Sequence, residues 1–282
     1  MAAKRIKVKP AFVCKYLFVI LLVSFSALPL VYVFSTAFKP LDELFIFPPR
    51  FFVTNPTLEN FSNLFRSLSD SMVPFSRYLF NSIFLSTVIV LGTVLICCMA
   101  AFALVKLKPP GSKAFFSVVL AALMFSPHVT QIPRYMIIDS MNLVDTYWAI
   151  ILPNIAVAYN MFLIKQFCEQ VPDSLMESAR IDGANDVTLF FKVIMPLLKP
   201  AWITLMVNSF ISSWNDYFTP LIFLTKPQLK TLPLALQSLG SSISRAGAVA
   251  ASALIMVVPP IVIFLLMQKS VLQTMIYSGI KE

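Results

Sequence analysis

Two stretches of this chain carry no charged residue over a length that crosses a lipid bilayer. One lies between Arg77 and Lys106, the other between Arg245 and Lys269. A helix needs about 20 apolar residues to cross the hydrocarbon core, and it satisfies its own backbone N–H and C=O groups there without water. Four further apolar segments complete a set of six expected spans, at 16–38, 78–105, 114–132, 147–166, 201–224 and 246–267. Pro127 and Pro153 interrupt the third and fourth, which a span tolerates where neighbours re-satisfy the freed backbone groups. The expected fold class is therefore an all-α membrane protein. A short arm, 1–15, precedes a transmembrane domain over 16–282.

Composition supports this. Of 282 residues, 58% are hydrophobic and 12% charged, whereas soluble domains run near half apolar and a quarter charged. The excess exceeds what a core can hold, so the outer surface faces lipid. The net charge of +9 does not point to nucleic acid, because the Lys and Arg residues sit in short clusters between apolar runs rather than on one solvated face. They orient the spans instead. Fourteen of the 22 basic residues lie on one side, in the N-terminal arm, the second and fourth loops and the C-terminal tail. By the positive-inside rule both termini are cytoplasmic. Lys4, Arg5 and Lys7 resemble the start of a signal peptide, but the apolar run that follows is too long for one and no A-x-A-like site ends it, so an uncleaved first span is expected.

The fourth loop, 167–200, differs from the rest. Pro172 breaks the outgoing span, and Ser174 with Glu177 forms an S-x-x-E capping box that predicts a short helix from Leu175. Arg180 suits its C-terminal end, and Gly183 supplies the left-handed stop. Asn185 or Asp186 then caps a second helix, 187–194, ended by Pro196. The first helix presents Leu175, Met176, Ala179 and Gly183 on one face. Such a helix suits docking into a partner's groove, or equally resting on headgroups or on the chain's own spans.

Glu177-Ser178-Ala179, three residues, Gly183, nine residues and Val193-Ile194-Met195-Pro196 resemble the "EAA" loop of ABC importer permeases, with Ser178, Val193 and Met195 as small departures from the Glu-Ala-Ala and Ile-x-Leu-Pro pattern. The 55–61 stretch Asn-Pro-Thr-Leu-Glu-Asn-Phe, Asn81-Ser82, Ser213-Trp214-Asn215-Asp216 and Thr231-Leu232-Pro233 look like the maltose-type carbohydrate permeases. The resemblance implies an inner-membrane permease of a binding-protein-dependent importer for a sugar or sugar-like solute. It implies as partners a homologous second permease, two cytoplasmic ATPase subunits and an extracytoplasmic solute-binding protein, in a prokaryotic cell membrane. Ser174, Leu175, Met176, Glu177, Ser178, Ala179, Arg180, Asp182, Gly183 and Pro196 then form the ATPase-docking coupling helix and its flank.

No cofactor is expected on this chain, with ATP and Mg on the partner ATPase. The six glycines form no GxxxxGK[ST] phosphate loop. Nor does the sequence offer a catalytic constellation. His128 is the lone histidine, and Cys14, Cys97, Cys98 and Cys168 lie in or beside apolar segments without metal-ligand spacing, so no metal site is expected.

Within the spans, Asp216 is the one acid, beside Trp214 and Asn215. An intramembrane ionisable group is a functional candidate, and Trp and Asn suit a sugar. The competing reading makes Trp214 a packing aromatic and Asp216 a group facing water. Asn81 and Asn208 are path candidates or interhelical hydrogen bonds. An ion-gradient-driven carrier would place charges at the midplane and show repeated halves; a membrane enzyme would need a His, Cys or carboxylate cluster. Neither pattern is present in the sequence. Oligosaccharides, monosaccharides and glycerol phosphate are all compatible substrates.

Overall fold

The computed structural model describes residues 10–69, 73–238 and 246–279, where the chain is helical, with no strand among the described residues. The first helix, α1 (Pro10–Ala37), is followed by the one-turn α2 (Leu41–Leu44) and by α3 (Glu59–Ser69). Next come α4 (Phe75–Phe102), α5 (Ser112–Leu123), α6 (Gln131–Ser140), α7 (Trp148–Ile155) and α8 (Ala158–Glu169). The loop region holds α9 (Asp173–Ile181), α10 (Asp186–Thr188) and α11 (Met195–Leu197). It leads to α12 (Lys199–Asn215), α13 (Phe218–Phe223), α14 (Leu232–Gln237) and α15 (Ala246–Gly279). Two π-helical segments extend this set, Ala103–Leu107 after α4 and Leu189–Ile194 between α10 and α11.

The contacts divide into two units, 1–67 with 239–255, and 68–238 with 256–282. In the first, the stretch 55–61 closes the end of α1. Asn60, 1% exposed, donates from Nδ2 to the carbonyls of Ala37 at 3.0 Å and Lys39 at 2.6 Å, acceptors that the helix end leaves open. Buried Glu43 accepts from the Thr54 hydroxyl and from the N–H groups of Thr54 and Asn55 at 3.1 and 3.0 Å. Those bonds, led by the Thr54 hydroxyl, hold its carboxyl below the usual range. The side chains of α1 from Tyr16 to Phe34 are largely exposed and apolar, which suits lipid.

The second unit is built on α4, which packs against α12, α8 and α7. Pro74 precedes α4, and Pro109 and Pro110, which lack N–H groups, prevent its continuation beyond Leu107. One face of α4 buries Cys97, Cys98, Ala101 and Phe102 against Met161, Ile164 and Cys168 of α8 and Ala201 and Leu205 of α12. A second cluster joins Leu85 and Ile89 to Ile150, Ile151 and Ile155 of α7.

Four helical segments have the length and apolarity to cross a bilayer: Cys14–Ala37, Phe75–Leu107, Trp148–Glu169 and Ala246–Leu272. A fifth arises if Asp186–Leu197 and Lys199–Asn215, bent by 78°, count as one. By length and apolarity the described residues thus give fewer than the expected six spans, and two segments account for the difference. The 114–132 segment is helical only in the 12-residue α5, which rises about 18 Å. It ends at Leu123, and Pro127 keeps Ser126 from helical geometry, so the helix is not resumed through it. The 201–224 segment is broken after Asn215, and α13 starts afresh. The fourth span holds Pro153 inside α7 and loses helical geometry at Ala156 and Val157. Of the N-terminal arm, residues 1–9 lie outside the described residues, as do Arg245 and Lys281.

Candidate functional site

The loop expected to be cytoplasmic and to couple to an ATPase folds as a short helix clamped at both ends. Its start differs from expectation. Pro172 occupies the N-cap position and no side chain caps the helix, so the Ser174–Glu177 capping box does not form. Pro172 at φ −61° already sets the entry of the chain, and helix begins at Asp173, two residues before Leu175. Ser174 instead accepts, through its carbonyl, a bond from the Ser178 hydroxyl at 3.0 Å. The start is tied to the end of α4 by Lys106, which donates to the Val171 carbonyl at 2.5 Å and pairs with Asp173 at 2.6 Å. Lys108 lies 3.6 Å from the same carboxylate. The Lys106 hydrogen bond and charge hold the Asp173 carboxyl below the usual aspartate range.

The end of α9 matches expectation. Gly183 has φ +84°, its N–H donates to Arg180 O at 3.0 Å, and Ala184 N–H donates to Ala179 O at 3.0 Å. These two bonds are a Schellman motif, which satisfies carbonyls the helix leaves open. Arg180 pairs with Asp186 at 3.2 Å, and Asn185 Oδ1 accepts from Thr188 N–H at 2.8 Å as the cap of the next segment.

That segment does not end at Pro196. It passes through a π turn, Leu189–Ile194, and Pro196 to Leu197 before bending into α12. The π turn re-spaces the carbonyls that a proline ring would otherwise strike. At the bend the Trp202 indole N–H donates to the Met195 carbonyl at 3.0 Å.

Of the face expected to enter a partner, Met176 is 5% exposed and packs with Leu189, Phe190 and Ile194 on the chain's own core, joined by Ala179. Met176 is therefore an inward anchor. The sequence reading missed Ile181, at 86% exposure the freest apolar side chain of α9. Leu175, Glu177, Ser178, Asp182 and Gly183 are also exposed. Ile181 stands about 140° around the helix from Met176, and which of the two faces turns inward is set by the packing of Met176 on the core.

A second feature lies among the spans. A cavity of about 300 Å³ is lined by polar groups from three helices, including Asn154, Tyr159, Asn160, Asn208, Ser209 and Ser213. The break after α7 opens it. The freed Asn154 carbonyl accepts from Thr93 Oγ1 at 3.4 Å, and Asn160 Nδ2 donates to Ser209 Oγ at 3.4 Å. Asn208 is exposed at its wall.

The other intramembrane candidates have structural partners. Asn81 is fully buried, donating to the carbonyls of Gln228 and Lys230 at 2.9 and 2.8 Å and accepting from Tyr147 Oη at 2.7 Å. Trp214 is buried, donates to Met256 O at 3.1 Å and stacks on Phe210. Asn215 donates to Ile211 O at 2.9 Å within its helix. Asp216 caps α13, accepting from Phe218 and Thr219 N–H at 3.0 Å each. Sequence reading also missed Asp145, at φ +60°. Its carboxylate takes the Thr225 hydroxyl and the N–H groups of Thr225 and Lys226 at 2.6 and 3.1 Å. The Thr225 hydroxyl, first among these donors, lowers its pKa.

The chain and its fold have counterparts among known proteins. The chain is 31% identical over 254 residues to the sn-glycerol-3-phosphate transport system permease protein UgpE of Escherichia coli O1:K1, covering 89% of this chain and 90% of that protein. It is 32% identical over 238 residues to UgpE of Yersinia enterocolitica, covering 81% and 84%. Its fold superposes with a TM-score of 0.79 on a bacterial ABC transporter involved in the import of the acidic polysaccharide alginate. That match covers 94% of this chain and 99% of that one at 22% identity. The profile of the binding-protein-dependent transport system inner membrane components matches residues 9–277, and the chain belongs to that family.

Proposed function

We propose that this permease forms half of the path for a sugar or sugar-like solute and is driven by ATP hydrolysis on separate subunits that receive α9. The observation that carries this reading is a helix held at both ends and anchored by Met176, yet presenting Glu177 and Ile181 to solvent. A push on α9 is transmitted through Met176 to Leu189, Phe190 and Ile194. From there it reaches α4, where the Phe190 and Phe102 rings lie 5.7 Å apart. Interiors packed at this density respond as a unit rather than by local yielding. The coupling residues are then Leu175, Glu177, Ser178, Ile181, Asp182 and Gly183 on the outside, with Met176 and Ala179 as the inner bearing.

Both termini are cytoplasmic in this reading, since the lysines beside α9 lie on the more basic side. ATP and Mg belong to two ATPase subunits, a homologous permease completes the path, and an extracytoplasmic binding protein delivers the solute. Asn154, Asn160 and Asn208 offer amide partners to hydroxyl groups at the cavity wall. The UgpE relatives are named for sn-glycerol 3-phosphate, which keeps sugar phosphates and polyols within the substrate class.

The test is a cross-link. Ile181→Cys, in a Cys14→Ser background that removes the exposed native thiol, should cross-link to an ATPase subunit, and nucleotide should change the yield. Glu177→Lys reverses an exposed charge that has no partner among the described residues; it should abolish solute-stimulated ATP hydrolysis with the permease still inserted. Absence of any ATPase cross-link, with normal uptake in Glu177→Lys, would refute the docking role.

A further inference from the structure

An open cavity of about 930 Å³ lies where the spans Phe75–Leu107 and Trp148–Glu169 both end. Its walls bring together Lys106, Lys108, Lys113 and Lys165 against two carboxylates, Glu169 and Asp173. Both acids are already engaged, Asp173 by Lys106 at 2.6 Å and Glu169 by Lys165 at 2.5 Å. Lys108 is left 66% exposed at 3.6 Å from Asp173, and Lys113 is exposed with no ion pair among the described residues. The cavity therefore holds an excess of two positive charges, at a level where two helices leave the hydrocarbon.

The surroundings are amphipathic. Lys165 sits 3.8 Å above the Phe116 ring, and Leu104 and Ala114 complete an apolar floor. The start of α5 opens into the same space with no side chain capping its N–H groups. Beyond it, α5 has no buried residue and exposes Phe115 and Val118 at 56% and 68%. A charged mouth thus continues into an apolar helix surface.

We infer that this cavity binds the phosphodiester of an anionic phospholipid, with Lys108 and Lys113 on the phosphate and the acyl chains running along α5. A soluble phosphate would use the lysines but gain nothing from the apolar floor and the uncovered helix. A zwitterionic lipid would bring its own cation to a site that already has an excess of them. Basic clusters at a membrane surface attract anionic lipids, and here the cluster is concave and fixed by two ion pairs. The site shares no proposed contact with the transported solute, and does not depend on which solute is carried.

The experiment uses the intact transporter, delipidated in neutral detergent and titrated with dioctanoyl phosphatidylglycerol, dioctanoyl phosphatidylcholine or inorganic phosphate under native mass spectrometry. The wild type should bind phosphatidylglycerol in preference to phosphatidylcholine. At about 1 kcal/mol per lysine, Lys108→Gln with Lys113→Gln should weaken that binding roughly thirtyfold, and the Lys→Arg pair should retain it. If the double variant fails to assemble, Lys113→Gln alone, at an exposed unpaired site, should still lower it severalfold. Equal binding of both lipids, or equal phosphatidylglycerol binding in wild type and Gln variants, would overturn the site. Displacement of the lipid by millimolar inorganic phosphate would overturn the lipid assignment in favour of a soluble anion.

Discussion

Gly247 leaves no space for a side chain: a Cβ there would stand 2.0 Å from Asn60 Oδ1. Asn60 cannot simply swing away, because its amide holds the Ala37 and Lys39 carbonyls. Gly247→Ala should therefore cost about 1–3 kcal/mol through overpacking and lost bonds, read as a lower thermal midpoint. In an Asn60→Ala background the same change should cost much less, a coupling that a double-mutant cycle measures. Asp173 gives a second residue-scale test. Its pKa is depressed by Lys106, so its contribution is present above the unfolded value of 3.8 and is lost as pH falls below it toward the folded value. Wild type should exceed Asp173→Asn in stability at neutral pH, and the gap should close in melts taken below that value. Neither feature was legible from sequence. Asn60 belongs to a recognisable stretch, but its amide meets residues more than 20 positions earlier and a glycine far later in the chain. Lys106 and Asp173 are brought together only by the packing of α4 on α8.

Helix ends decide how the loop around α9 is built. Gly183 was legible because a left-handed residue beyond a last turn has few substitutes, and its φ of +84° bears this out. The helix start was not, since Pro172 fixes the entry without a capping side chain and pre-empts the Ser174–Glu177 box. Ile181 lies five residues from the inward Met176, about 140° around the helix, and so faces outward, but which face meets the chain's own core depends on packing that the sequence does not show. Gly183→Val should raise the cost of the αL turn by roughly 1–2 kcal/mol or more, releasing the Ala184–Ala179 and Gly183–Arg180 bonds. The expected readout is loss of solute-stimulated ATP hydrolysis, with membrane insertion unchanged by protease protection. Long uncharged runs identified α4 to within three residues at either end and the start of α15, which continues past the expected 267 to Gly279. The third and fifth segments are not single continuous helices, because apolar composition persists through Pro127 and Asp216 where regular helix does not.

At the scale of the molecule, a lipid-exposed bundle, a polar cavity beside a broken span and a rigid loop helix fit the transport system to which this family belongs. Composition and charge pattern established the membrane class, while the cavity was invisible in sequence because it depends on Asn154 and Asn160 flanking a helix break and on Asn208 and Ser209 crossing opposite them. The central claim is that this chain works only as one part of an ATP-driven assembly. The most direct test is gentle purification from the native membrane, with each co-purifying subunit identified by mass. The account predicts a second permease and an ATPase at a ratio of about 1:1:2 with this chain, the two-permease, two-ATPase assembly set out above. Recovery of this chain alone, still carrying solute into vesicles without ATP, would contradict it.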